Sequence, residues 1–211
     1  MPISINGTGS ITGISAGGLP SGSVTSDTIA NGTIATTDIA DGAVTQLKRS
    51  EGLTLGTPQN STSGTSIDFT GIPSWVKRIT VMFNGVSTNG TSRVQVQLGT
   101  SSGTTTTGYL VNSSSIGAGG TVSTDAGATS GFTATTTQQT SANNALAGNI
   151  FISLFGSNIW IGSGVISSGS VGGTNYLSGS VTLSGTLDRI RITTVNGTDQ
   201  FDAGSINIMY E

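Results

Sequence analysis

The sequence contains no cysteine and no histidine. Without thiols there is no disulfide, no thiolate nucleophile and no thiolate metal site. Without imidazole, the common zinc-ligand sets and the usual nucleophile–base pairs are excluded as well. Charge is equally scarce: 7 Lys and Arg and 10 Asp and Glu make up 8% of 211 residues, against ~25% in an average soluble domain. The net charge of −3 speaks against nucleic acid as a partner, because its binders need basic patches to displace counterions. No stretch approaches the ~18 consecutive apolar residues of a membrane span. The start, "MPISINGTGS", lacks the basic segment and apolar run of a secretory signal. The expectation is a chain without membrane insertion, cofactor or metal, held together by burial and backbone hydrogen bonds.

What the sequence has is glycine, 33 of them, among many Ser and Thr. Disordered chains combine low hydrophobicity with high net charge, but here the mean hydropathy is +0.11. Thr, Val and Ile suit a pleated surface, and Gly and Asn supply turns, so the composition points to β-structure. Residues 1–20 are too glycine-rich for a core of their own. Residues 21–48 contain a ten-residue repeat, GSVTSDTIAN, GTIATTDIAD, GAVTQLK, which aligns Val24, Ile34 and Val44, then Ile29 and Ile39. A unit that cannot cover its own apolar side must find neighbours, and this one has too few copies for a solenoid. Around an axis, three chains would bring three Ile29 or three Ile34 into one layer. The repeat therefore reads as a trimeric shaft built on Val24, Ile29, Ile34, Ile39 and Val44, with "IANG" and "IADG" turning between layers. A flexible linker that happens to repeat is the plainer alternative.

Residues 49–65 read as a linker or a first edge strand, and residues 66–211 as a head. There "VKRITVMFNGV" sets Ile79, Val81 and Phe83 against polar neighbours, and "RVQVQLG" sets Val94, Val96 and Leu98 against Gln95 and Gln97. "DRIRITT" and "SINIMY" repeat the pattern with Ile190 and Ile192, then with Ile206, Ile208 and Tyr210. Period-two alternation predicts strands with one buried face. In "GNIFISLFGSNIWIG", Phe151, Phe155 and Trp160 interrupt the polar face, which predicts a strand buried on both sides, at a sheet centre or a subunit contact. About eight strands without a convincing helix imply an all-β antiparallel sandwich, with jelly-roll connectivity preferred.

Chemistry is hard to find. A Ser-Lys pair would have to use Lys48 or Lys77, each beside an arginine and read as solvated. Glycosidases need two carboxylates, and Asp188, Asp199 and Asp202 form the one cluster in the head. Turn formation near "VNGTD" and pairing with the following arginines explain them more simply. "GAGGTVSTDAG" has neither the Lys-Ser/Thr ending nor the adjoining helix of a phosphate cradle. The chain is read as non-enzymatic, which leaves binding. The stretches between Gly99 and Ala147 read as long uncharged loops rich in amides and hydroxyls, suited to a neutral sugar surface. Tyr109, Asn112, Gln138 and Gln139 are the candidate receptor contacts. Tyr109, Phe132 and Tyr176 border these loops, and core or subunit packing is the competing explanation for each ring.

The segments "SINGTGSITGISAGGLPSGSVTSDTIANGTI", "GIPSWVKRITVMFNGVSTNGTSRVQVQLG" and "LDRIRITTVNGTDQFDAGSINIMYE" resemble tail-fibre proteins of tailed bacteriophages, most specifically at "IPSWVKRITVMFNGVS" and "FDAGSINIMYE". The resemblance implies a homotrimeric virion fibre, assembled in the bacterial host cytoplasm. Residues 1–20 would join other virion proteins, and a β-sandwich head would meet a host surface receptor. A capsid-decorating or collar fibre that recognises nothing, and a small polysaccharide-degrading fibre, are the other roles open to such a chain.

Overall fold

A computed structural model describes residues 24–25, 27, 29–40, 43–44 and 52–211. The segment 1–20 and Lys48 lie outside the described residues. The chain divides into two units, Met1–Arg49 and Ser50–Glu211.

In the first unit the repeat recurs as structure. The Thr33 N–H donates to the Ala30 carbonyl at 3.2 Å, and ten residues on the Ala43 N–H donates to the Ala40 carbonyl at 2.9 Å. The "IANG" segment therefore turns at its Asn-Gly pair, as predicted, whereas the Asp-Gly pair of "IADG" lies outside the described residues. Gly32 sits at φ +78°, where a Cβ would be strained. Between these turns, Thr36–Asp38 forms a 3₁₀ turn, and the Asp38 carboxylate accepts the Ala35 N–H at 2.8 Å. All five apolar repeat positions stay open within the chain, from Ile29 at 38% to Val24 at 57% exposure.

The second unit is all-β and antiparallel. Its strands are β1 (Thr54–Leu55), β2 (Gln59–Asn60), β3 (Ser66–Thr70), β4 (Arg78–Thr88), β5 (Val94–Thr100), β6 (Gly103–Thr104) and β7 (Leu110–Ile116). They continue with β8 (Val122–Ala128), β9 (Phe132–Thr133), β10 (Leu146–Gly156), β11 (Ile159–Ser168), β12 (Gly173–Thr182), β13 (Arg189–Thr194) and β14 (Phe201–Tyr210). A nine-stranded sheet runs β1-β14-β4-β10-β11-β12-β7-β8, with β2 also on β14. A five-stranded sheet runs β3-β13-β5-β6, with β9 on β5. One hydrophobic cluster joins the two. In it lie Ile79, Val81 and Phe83 of β4, Ile190 and Ile192 of β13, and Ile206 and Ile208 of β14. Each contributes ~1.5–3 kcal/mol by leaving water. Within the stretch read as linker or edge strand, residues 54–55 and 59–60 are edge strands on β14.

Three expectations need correction. β5 is buried on both faces, not one: Gln95 and Gln97 are as covered as Val94 and Leu98. Their amides are satisfied by residue 130, since Gln97 Nε2 donates to the Ser130 carbonyl at 2.8 Å and Ser130 Oγ donates to Gln95 Oε1 at 2.8 Å. The stretch read as loops between Gly99 and Ala147 contains β6, β7, β8 and β9. Here several inward side chains are small hydroxyls where an aliphatic group would have marked a strand. Ser113 and Ser115 of β7 are buried, and Ser115 Oγ meets Thr136 Oγ1 at 2.8 Å. Finally, β10 lies at a sheet centre, between β4 and β11, but its chain covers only one of its faces. Ile150 and Ile152 are inside, whereas Phe151 is 47% and Phe155 74% exposed.

The long strands share two ends. β14 runs from Phe201, opposite Thr88, to Tyr210, opposite Ile79. The chain joins the sheet at the Tyr210 end, where Thr54 pairs with Tyr210. At the Phe201 end lie the connections 89–93, 117–121, 134–145, 169–172 and 195–200.

Candidate functional site

Two surfaces of the second unit are candidates for contact. The first is the outer face of the nine-stranded sheet. Its register sets outward side chains in rows. Phe151 of β10 faces Ser163 of β11, which faces Ser178 of β12 and then Asn112 of β7. The next row runs from Asn149 through Val165, Tyr176 and Ser114 to Thr124 of β8. β11 alternates strictly: Trp160, Gly162, Gly164, Ile166 and Ser168 point inward, and Ile161, Ser163, Val165 and Ser167 point outward. Gly162 is dictated by the core, since a Cβ there would lie 2.5 Å from the Phe132 ring. Small serines in the middle of the face leave a groove of about 580 Å³, walled by Phe151, Val165 and Tyr176 on one side and by Asn112, Ser114 and Thr124 on the other. That volume falls within the ~300–1,000 Å³ range of ligand clefts.

The second surface is the rim of loops at the Phe201 end. It is tied together by backbone and amide hydrogen bonds. The Asn143 N–H donates to the Thr88 carbonyl at 2.9 Å. Ser170 Oγ donates to the Asn143 carbonyl at 2.9 Å, and the Ser170 N–H to Asn144 Oδ1 at 3.3 Å. The Gln200 N–H donates to Asn89 Oδ1 at 2.9 Å. Loops cross-linked this way hold their exposed amides and hydroxyls in place, and so reduce the ordering cost of binding.

The sequence candidates are scattered between core, face and rim. Tyr109 is not a receptor contact: it is fully buried, edge-on to Phe132 at 5.4 Å. Its hydroxyl accepts the Leu98 N–H at 2.7 Å. Burial pushes this phenol above its ordinary range, and the hydrogen bond from Leu98 pulls weakly the other way. Phe132 is also core. Tyr176 stays 42% exposed on the sheet face. Asn112 is exposed and lines the groove, with Oδ1 accepting the Gly127 N–H at 3.1 Å. Gln138 is exposed in the 3₁₀ turn Thr137–Gln139. Gln139 shares that turn, and its side chain lies outside the described residues. Phe151, Ser163 and Val165 were missed as groove residues, though Phe151 stood out in the sequence as an aromatic on a polar face.

The carboxylates serve local structure. Asp199 accepts the Ser92 N–H at 2.8 Å and Asn196 Nδ2 at 2.6 Å. Asp202 accepts the Ser87 hydroxyl. Asp188 pairs with Arg189 at 3.7 Å. Asp125 holds Arg93 at 3.1 Å and the Thr137 N–H at 2.6 Å. Among the described residues, no group of three or more acidic side chains is placed to hold a metal ion, and no helix is long and apolar enough to cross a membrane. Comparison with protein-family models, with curated proteins and with solved structures finds no match.

Proposed function

We propose that this chain is a non-enzymatic structural fibre of a tailed bacteriophage virion. It is homotrimeric through the ten-residue repeat and joined to other virion proteins by residues 1–20. Its head is jelly-roll-like, and the loop rim of that head meets a saccharide receptor on the host surface. One observation carries the reading: the same i to i+3 backbone hydrogen bond recurs ten residues apart in the repeat, while the apolar repeat positions Val24, Ile29, Ile34, Ile39 and Val44 all stay exposed in the single chain. Such a segment gains burial only from further copies. For the head, the last strand, β14, returns beside β4, as in Greek-key closure. Purified protein is expected near three times 21.0 kDa by light scattering. Replacing both Ile29 and Ile34 by Asp should lower that mass, because like charges would then face each other around the axis. A monomer at micromolar concentration would sink the trimeric reading.

A capsid-decoration or collar fibre without recognition is the second reading. It is favoured by the burial of Tyr109 and Phe132, which removes two of the three rings available for sugar stacking. Binding of the purified protein to host cells separates the two.

A further inference from the structure

We infer that the outer face of the nine-stranded sheet, centred on Phe151, Ile161, Val165 and Tyr176, packs against other copies of this chain, so that the second unit carries an assembly surface separate from the repeat. The stoichiometry rests on the trimeric reading above; the surface itself does not. β10 is central in its sheet, yet Phe151, Phe155, Ile161 and Val165 on its open side and that of β11 are 45–74% exposed. Three aromatic rings at about half exposure present on the order of 300 Å². Leu110, Ile116 and Val122, also exposed on β7 and β8, together with Ile161 and Val165, add about as much again. The sum, about 600 Å², lies at the upper end of the patches that monomers leave bare and is about three quarters of the ~800 Å² per partner of a standard interface.

Charge identifies the occupant. β7, β10, β11 and β12 contain no Asp, Glu, Lys or Arg at all. Asp125 of β8 lines the groove and Arg78 of β4 stands beside Ser153 of β10, but each is already held in an ion pair, with Arg93 and with Glu211. The uncharged strands between them meet a like surface with no unpaired ion to bury. A charged partner would find there only charges that are already paired. A saccharide asks for many hydrogen bonds, but the Asn112 carbonyl is already engaged by Gly127, and the other polar groups of the groove are mostly short hydroxyls set beside the exposed Phe151, Val165 and Tyr176. A second copy suits this surface best, its side chains entering the groove over Ser163 and Ser178.

The absence of cysteine makes the test direct. In the full chain, Ser163→Cys places a thiol in the middle of the face, and Thr70→Cys places one on an exposed position of β3 in the other sheet. A short bis-maleimide should join Ser163→Cys chains into dimers at micromolar concentration, the limit for one thiol per chain, and leave Thr70→Cys chains single. Independently, Phe151→Asp, at an exposed position that the core does not need, should keep the far-ultraviolet spectrum and weaken self-association at least tenfold in sedimentation. A chain that is trimeric, yet shows no Ser163→Cys cross-link and no change with Phe151→Asp, overturns this inference and leaves the fibre reading standing. If Ile29→Asp/Ile34→Asp abolishes assembly of the repeat while Ser163→Cys cross-linking persists, the face is an interface in its own right. A monomeric wild-type chain removes both proposals.

Discussion

Tyr109 shows how far one residue can depart from its surroundings in the sequence. It follows "GTTTTG", a stretch that reads as a polar loop, yet its ring is sealed against Phe132 and its hydroxyl accepts a backbone N–H. Replacing it by Phe keeps the ring and removes the acceptor for Leu98, which should cost ~1–2 kcal/mol. The phenol also makes stability depend on pH. Its folded pKa is raised by burial, whereas the unfolded chain ionises near ~10. The unfolded state therefore releases its proton first. The contribution of Tyr109 is fully present below pH ~10 and is lost as pH rises beyond it. Thermal melts of wild type and Tyr109→Phe between neutral and strongly alkaline pH test this. The wild type should lose more stability across the alkaline range than the variant, and parallel curves would show that Tyr109 is not the buried phenol described. Asn175 is a similar case: fully buried, it donates to the Ile166 carbonyl and Ser168 Oγ and accepts the Thr136 N–H. Nothing in "GTNYLSG" marks it as more than a surface amide, because its partners lie on the preceding strand and in the connection around Thr136, outside that stretch.

Strands were legible where alternation placed aliphatic groups inward, and illegible where it did not. β4, β13 and β14 announce themselves through Ile, Val and Phe at every second position, and all three build the core. β7 alternates just as regularly, with Val111, Ser113 and Ser115 inward. Serine carries no hydrophobic signal, so a strand whose inward groove is lined by hydroxyls looks like a loop. In β5 the error ran the other way, because glutamines whose amides find partners can be buried beside valines. The candidate site suffered for the same reason: hydroxyl-rich strands were mistaken for binding loops, while the sheet face was legible only as misplaced phenylalanines. At this scale the last strand is the sharpest test. β14 pairs with β4 along nearly its whole length and buries Ile206 and Ile208. Deleting residues 204–211 removes both side chains, at ~1.5–3 kcal/mol each, and bares the edge of β4 to other chains. The truncated protein is expected in the insoluble fraction. A soluble product with a cooperative melt would contradict the pairing.

At the scale of the whole molecule, the receptor contact proposed above would rely little on charge. Each of the four arginines in the second unit is paired with Asp68, Asp125, Asp188 or Glu211. The most regular pair is Arg191 with Asp68, two contacts at 2.7 and 2.8 Å across neighbouring strands. The rim is left with amides and hydroxyls, and its one turn carboxylate, Asp199, already accepts Ser92 and Asn196. A rim of this kind attracts no ligand from a distance. If it meets a receptor as proposed above, it would do so through short-range hydrogen bonds, individually weak, which several copies held together would multiply through effective concentration. Adsorption of the assembled fibre to host cells should therefore change little when salt is raised from ~0.1 M to ~1 M, which shortens the screening length from ~10 Å to ~3 Å. Two substitutions probe the rim without disturbing it. Gln138→Ala removes an exposed amide, and Asn143→Gly removes another while remaining compatible with φ +62°. At least one should reduce adsorption while the oligomeric mass and melting temperature hold. If both variants compete with phage for host cells as well as the wild type does, the rim is not the receptor surface. If the wild type itself fails to compete, the fibre that recognises nothing is the better description.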